Sequence, residues 1–100
     1  MFLVREIMQC KPGKVGEMVK RFKQMAPLMK EAGLSEPARI MTDMAGGERF
    51  WTVVWEQETP SLEKYLDIAR QTTADARVQK IMEGYHELVE SGRREIYKLE

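Results

Sequence analysis

The stretch Phe2 to Ala32, FLVREIMQCKPGKVGEMVKRFKQMAPLMKEA, carries two hydrophobic rhythms in succession. From Phe2 to Gln9 apolar residues recur with period two. Phe2, Val4 and Met8 point one way and Leu3 and Ile7 the other, as in a β-strand. Pro12 and Gly13 break that strand. From Val15 to Ala32 the period becomes 3.6. Val15, Met18, Val19, Phe22, Met25, Ala26 and Met29 form one helical stripe. Pro27 falls on the opposite side, where it removes one backbone hydrogen bond and predicts a kink. Gly33 is placed to end the helix in a left-handed cap.

The rest of the chain continues the alternation. Ala38 to Met44 and Phe50 to Glu56 read as strands, with Ala45-Gly46-Gly47 as the turn of a hairpin and Glu48 and Arg49 beside it. Thr59 and Pro60 suit the cap and first position of a second helix bearing Leu62, Tyr65, Leu66 and Ala69. Gln71-Thr72-Thr73 predicts an interruption. Thr73 then caps a third helix with the stripe Val78, Ile81, Met82, Tyr85, Leu88 and Val89, which Gly92 ends. Arg94 to Leu99 closes the chain as a strand. The order βαββαβ predicts a single α+β domain over residues 1–100. Its plan is ferredoxin-like, an antiparallel sheet with helices on one face. The strands are apolar on both sides: Trp51, Val53 and Trp55 oppose Phe50 and Val54, and Ile40 and Met44 oppose Met41. A sheet covered on one side should alternate more cleanly, so the second face predicts a partner, most simply a second copy.

Composition removes several function classes. Sixteen basic residues balance sixteen acidic ones, so no long-range field draws nucleic acid or an anionic membrane. One cysteine, Cys10, and one histidine, His86, cannot build an internal disulfide or an ordinary zinc site. No glycine-rich nucleotide fingerprint is present, and the expectation is no metal, flavin or haem. The absence of a signal-peptide pattern and of a long apolar run predicts a cytoplasmic protein.

Three segments resemble the dimeric α+β barrel superfamily, in its antibiotic-biosynthesis monooxygenase-like and NIPSNAP-like branches. Cys10-Lys11-Pro12-Gly13-Lys14 resembles the link from the first strand to the first helix. Arg49 to Glu56, RFWTVVWE, resembles the third strand ending in Trp-Glu. Ser61 to Leu66, SLEKYL, resembles the start of the second helix. The resemblance implies two sheets pairing into a barrel across a two-fold axis. It also implies where an enzyme of this group would keep its chemistry. The cofactor-free monooxygenases and haem degraders use an asparagine near the first strand, and this chain has no asparagine. Tyr65 stands where many relatives have a histidine, and His86 fits the haem degraders' histidine poorly.

The candidate site residues are Arg5, Trp51, Trp55, Tyr65, Tyr85 and His86. Two indoles and two phenols with polar handles suit a pocket between the sheet and the second and third helices. The same side chains serve equally as packing. Arg5 and Glu6 project to opposite faces, so one charge must lie against the core or an interface, where it grips a ligand or forms an ion pair with Arg94 or Arg39. Histidine is the usual proton-transfer side chain, but His86 has no evident partner for that role. Cys10 reads as inert, and the methionines as core filling. Two functions remain open. One is a non-catalytic homodimeric module for a small apolar or aromatic ligand or a protein partner. The other is a cofactor-free monooxygenase- or isomerase-like enzyme acting on a small aromatic or dicarbonyl substrate.

Overall fold

The first strand, β1 (Phe2–Cys10), lies inside the sheet, flanked by β3 (Thr52–Thr59) and β4 (Val89–Lys98), both antiparallel to it. β2 (Arg39–Thr42) pairs antiparallel with the far side of β3. The order β2-β3-β1-β4 is that of a ferredoxin-like sheet. The computed structural model describes residues 1–34, 37–45 and 50–100. The expected hairpin residues Gly46, Gly47, Glu48 and Arg49 lie outside the described residues, while the antiparallel β2–β3 register is plain from Arg39 opposite Glu56 to Thr42 opposite Val53.

Helices α1 (Val15–Glu31), α2 (Leu62–Ala74) and α3 (Ala76–Ile81) cover one face. Pleating sends Val4, Met8 and Cys10 of β1 and Val53 and Trp55 of β3 to that side. There they meet Met18, Phe22 and Met29 of α1 and Tyr65 and Ile68 of α2. The stripe of α1 is therefore the one its spacing predicts. Its end is a Schellman motif, with the Leu34 N–H bonded to the Met29 carbonyl at 3.2 Å and the Gly33 N–H to the Lys30 carbonyl at 3.1 Å. Gly33 has φ +120° there, in the region that glycine alone enters at little cost. Pro27 sits on the exposed side and α1 continues past it.

Several boundaries differ from the expectation. β3 runs on through Thr59, which pairs with Phe2 and is buried, so Thr59 belongs to the sheet and does not cap α2. Ser61 is the cap, its hydroxyl accepting from the Lys64 N–H at 3.2 Å. Thr72 and Thr73 do not interrupt α2. Their hydroxyls donate to the carbonyls of Ile68 and Ala69, satisfying themselves within the helix. Asp75 ends α2 and caps α3. The third helix is short. Gly84, at φ +72°, turns the chain into a 3-10 turn, Tyr85–Glu87, and β4 begins at Val89. Gly92 thus lies inside β4 opposite Met8, where an added Cβ would sit 2.9 Å from the Met8 sulfur. Trp51 and Met44 fall outside the strands, and Trp51 adopts a left-handed φ of 65°. No helix among the described residues is long and apolar enough to cross a membrane.

Candidate functional site

The sheet face turned away from the helices carries a row of alternating charge across all four strands. Register aligns Arg39 of β2, Glu56 of β3, Arg5 of β1 and Glu95 of β4. Arg39 Nη2 lies 2.5 Å from Glu56 Oε1, Arg5 Nε lies 3.3 Å from Glu56 Oε2, and Arg5 Nη1 donates to Glu95 Oε1 at 3.2 Å. Arg93 Nε and the Tyr97 hydroxyl also donate to Glu95, at 3.4 and 3.2 Å. Glu56 thereby serves two arginines, and Arg5 two carboxylates. The Arg5 Nε atom is cut off from solvent, and its contact with Glu56 is an ion pair without hydrogen-bond alignment. The row is a surface-sided version of a buried ion network: each charge is tolerable because its neighbour compensates it.

Beside the row, Ile7, Met41 and Val54 form an apolar floor, and a depression of about 920 Å³ opens above them. Arg5, Arg93, Glu95 and Tyr97 wall one end; Gln9, Asp43, Thr52 and Ser91 wall the other. That second end is held by hydrogen bonds. Thr52 N–H donates to Asp43 Oδ1 at 2.6 Å, the Thr52 hydroxyl to Gln9 Oε1 at 3.3 Å, and the Gln9 side-chain amide to the Phe50 carbonyl.

The six residues singled out from sequence do not converge. Arg5 alone lines the depression. Trp55 lies on the other side of the sheet at 4% exposure, its ring edge-on to Phe22 with centroids 5.7 Å apart. Its N–H donates to the Gln57 side chain at 3.2 Å, so its polar handle is already used. Tyr65 is buried in the same core. Tyr85 stacks on exposed His86, centroids 4.0 Å apart, and Trp51 stands at the end of the sheet. Glu6 faces the helices and pairs with Arg94 at 2.5 Å, one of the ion pairs expected from sequence. Burial, with Asp43 adding to it, pushes the Cys10 thiol up, which keeps it protonated and unreactive. The residues missed from sequence are Glu56, Glu95 and Arg93, while Arg39, named there as an ion-pair partner, pairs with Glu56. Their signal was alternation of charge on facing strands, legible only once the register was known.

Tyr65 has a shift with a consequence. Burial pushes its phenol well above the usual value. The Glu6 carboxylate repels the phenolate and accepts the phenol's hydrogen bond, while Arg94 pulls the other way. The folded chain therefore keeps a proton that the unfolded chain releases above about pH 10. The resulting stability is present in full below that pH and declines as pH rises further. In urea titrations at pH 8 and pH 11, wild type should lose more stability than Tyr65→Phe, by up to ~1.4 kcal/mol per pH unit. Equal losses would contradict a buried, protonated phenol.

No protein-family model matches the chain, and no curated protein matches it. Solved structures do. A NIPSNAP family protein of unknown function from Agrobacterium tumefaciens superposes with a TM-score of 0.81 at 18% identity, covering 99% of this chain and 87% of that one. A NIPSNAP domain protein from Burkholderia xenovorans gives 0.80 at 15% identity, covering 100% and 95%. An antibiotic biosynthesis monooxygenase gives 0.68 at 11% identity, covering 99% and 98%. At these identities the likeness is one of fold alone: the chain folds like NIPSNAP and antibiotic biosynthesis monooxygenase proteins of known structure.

Proposed function

We propose that this chain is a non-catalytic homodimeric module that holds a small ligand between two sheets. The observation that carries the reading is the uncovered sheet face, with an apolar floor, a charged row and a depression of about 920 Å³. Such a cleft, apolar below with polar and charged side chains walling both ends, suits a small molecule with an aromatic or aliphatic body and polar groups at its ends. The fold favours a second reading, a cofactor-free monooxygenase- or isomerase-like enzyme. The side chains that would serve it are engaged otherwise: Tyr65 is held protonated, Glu6 is paired with Arg94, and His86 lies exposed against Tyr85.

A melting-temperature screen of small aromatic and short fatty ligands tests the module. A ligand at a hundred times its Kd adds ~2.7 kcal/mol, which raises the melting temperature of a domain this size by roughly 10 °C or more. Ser91→Trp, at an exposed position on the wall, should fill the cleft and abolish the shift. A panel without effect on wild type, or a shift that survives in Ser91→Trp, contradicts the reading.

A further inference from the structure

The charges around the cleft are divided unevenly between its two ends. Arg5 and Arg93 line one end beside Glu95. Glu56, behind Arg5, is shared with Arg39, so the whole row sets Arg39, Arg5 and Arg93 against Glu56 and Glu95 and keeps a positive excess. Asp43 lines the other end among the uncharged side chains of Gln9, Thr52 and Ser91. Among the described residues, then, the cleft is positive at one end and negative at the other. The chain as a whole is neutral, so this polarity is local.

Hydrogen-bonding capacity divides the same way. Both oxygens of Glu95 are engaged, Oε1 by Arg5 Nη1 and the Tyr97 hydroxyl and Oε2 by Arg93 Nε. Among the described residues, Arg5 Nη2 and both Nη atoms of Arg93 donate to no protein acceptor. The Arg93 side chain is 67% exposed, so a ligand can reach those donors. A guanidinium presents them as a planar fork, which matches a carboxylate. At the other end Asp43 Oδ1 accepts the Thr52 N–H at 2.6 Å, which fixes the carboxylate in place. Its Oδ2 accepts no hydrogen bond among the described residues.

Strand register gives the span. Arg5 pairs with Glu56, Gln9 pairs with Thr52, and the Asp43 N–H bonds to the Thr52 carbonyl. Asp43 therefore lies four residues along the strands from Arg5 and two strands across, roughly 13 Å by roughly 10 Å, or about 16 Å between Cα atoms. The two side chains occupy part of that distance. One ring or a short chain carrying a charge at each end bridges the rest, over the floor of Ile7, Met41 and Val54.

We infer that the cleft takes a zwitterion, an ω-amino acid whose carboxylate is held by Arg5 and Arg93 and whose ammonium is held by Asp43. The inference rests on the ligand-binding reading above and adds the ligand's class and its orientation. A molecule lacking either charge leaves one end of the cleft desolvated without a partner, and a dicarboxylate or a diamine sets like charges together at one end.

Calorimetric titration with para-aminomethylbenzoate and three analogues tests it. Para-toluate lacks the ammonium, para-methylbenzylamine lacks the carboxylate, and para-methylbenzyl alcohol lacks both. Wild type should bind the zwitterion at least about tenfold more tightly than any analogue. Arg93→Gln should weaken the zwitterion and para-toluate at least about fivefold and leave para-methylbenzylamine as it was. Asp43→Asn keeps an oxygen for the Thr52 N–H; it should weaken the zwitterion and para-methylbenzylamine by as much and leave para-toluate as it was. Without ligand, both variants should melt close to wild type. An analogue that binds as tightly as the zwitterion, or a variant that weakens all probes alike, overturns the inference and leaves the cleft a ligand site. No binding of any of the four also overturns it, and the melting-temperature panel above then decides separately whether the cleft binds ligands at all.

Discussion

Trp55→Ala should cost ~3–5 kcal/mol of folding stability, as for other large-to-small changes in a packed core. Trp55 is 4% exposed, lies edge-on to Phe22 and ties its N–H to Gln57, so truncation leaves a void where ring contacts and a hydrogen bond had been. A domain of this size is stable by only ~5–15 kcal/mol in all. The melting temperature should therefore fall by roughly 15 °C or more. Trp55→Phe keeps the aromatic contact and should recover much of the loss. His86→Ala, at an exposed position, should cost under ~1 kcal/mol. The contrast separates two residues that looked alike as pocket candidates in the sequence. Were Trp55→Ala as mild as His86→Ala, Trp55 would not be a core residue and the helix-covered side of the sheet would need another account.

Association should make stability depend on concentration. The uncovered face presents Ile7, Met41 and Val54 between charges that are paired within the chain, which is how a surface prepares for burial. A charge paired before association carries a smaller desolvation cost than a lone one. If unfolding releases two chains from one dimer, each tenfold rise in protein concentration adds ~1.4 kcal/mol of apparent stability per dimer. Melting temperature should climb steadily from sub-micromolar to hundred-micromolar protein. A melting temperature that does not move over that range belongs to a chain that folds alone.

The order of the elements was legible because periods of 2 and 3.6 rarely imitate one another over long runs. Phe2 to Gln9 and Val15 to Ala32 fall almost where they were expected. The failure lies between Val78 and Gly92. Val78, Met82, Leu88 and Val89 keep helical spacing while the backbone passes through a helix, a left-handed glycine, a 3-10 turn and a strand. All four pack in or against the core, so spacing alone could not divide them; Gly84 was the overlooked mark. The aromatic candidates misled for a related reason. An indole with a polar handle suits a pocket, but it suits a core equally when a glutamine lies two residues along the same strand face, as Gln57 does for Trp55. The charged row was hidden because its members lie on four strands whose register the spacing does not give, and Arg93 also falls before the strand expected from Arg94. Arg5 was visible as an oddity, but its partners needed the register.

The central claim is that a second copy covers the open sheet face, and sedimentation equilibrium of the wild-type chain at micromolar concentration tests it most directly. The account predicts a single species of about twice the 11.7 kDa chain mass. A folded species at the single-chain mass, persisting as concentration is raised a hundredfold, would contradict it.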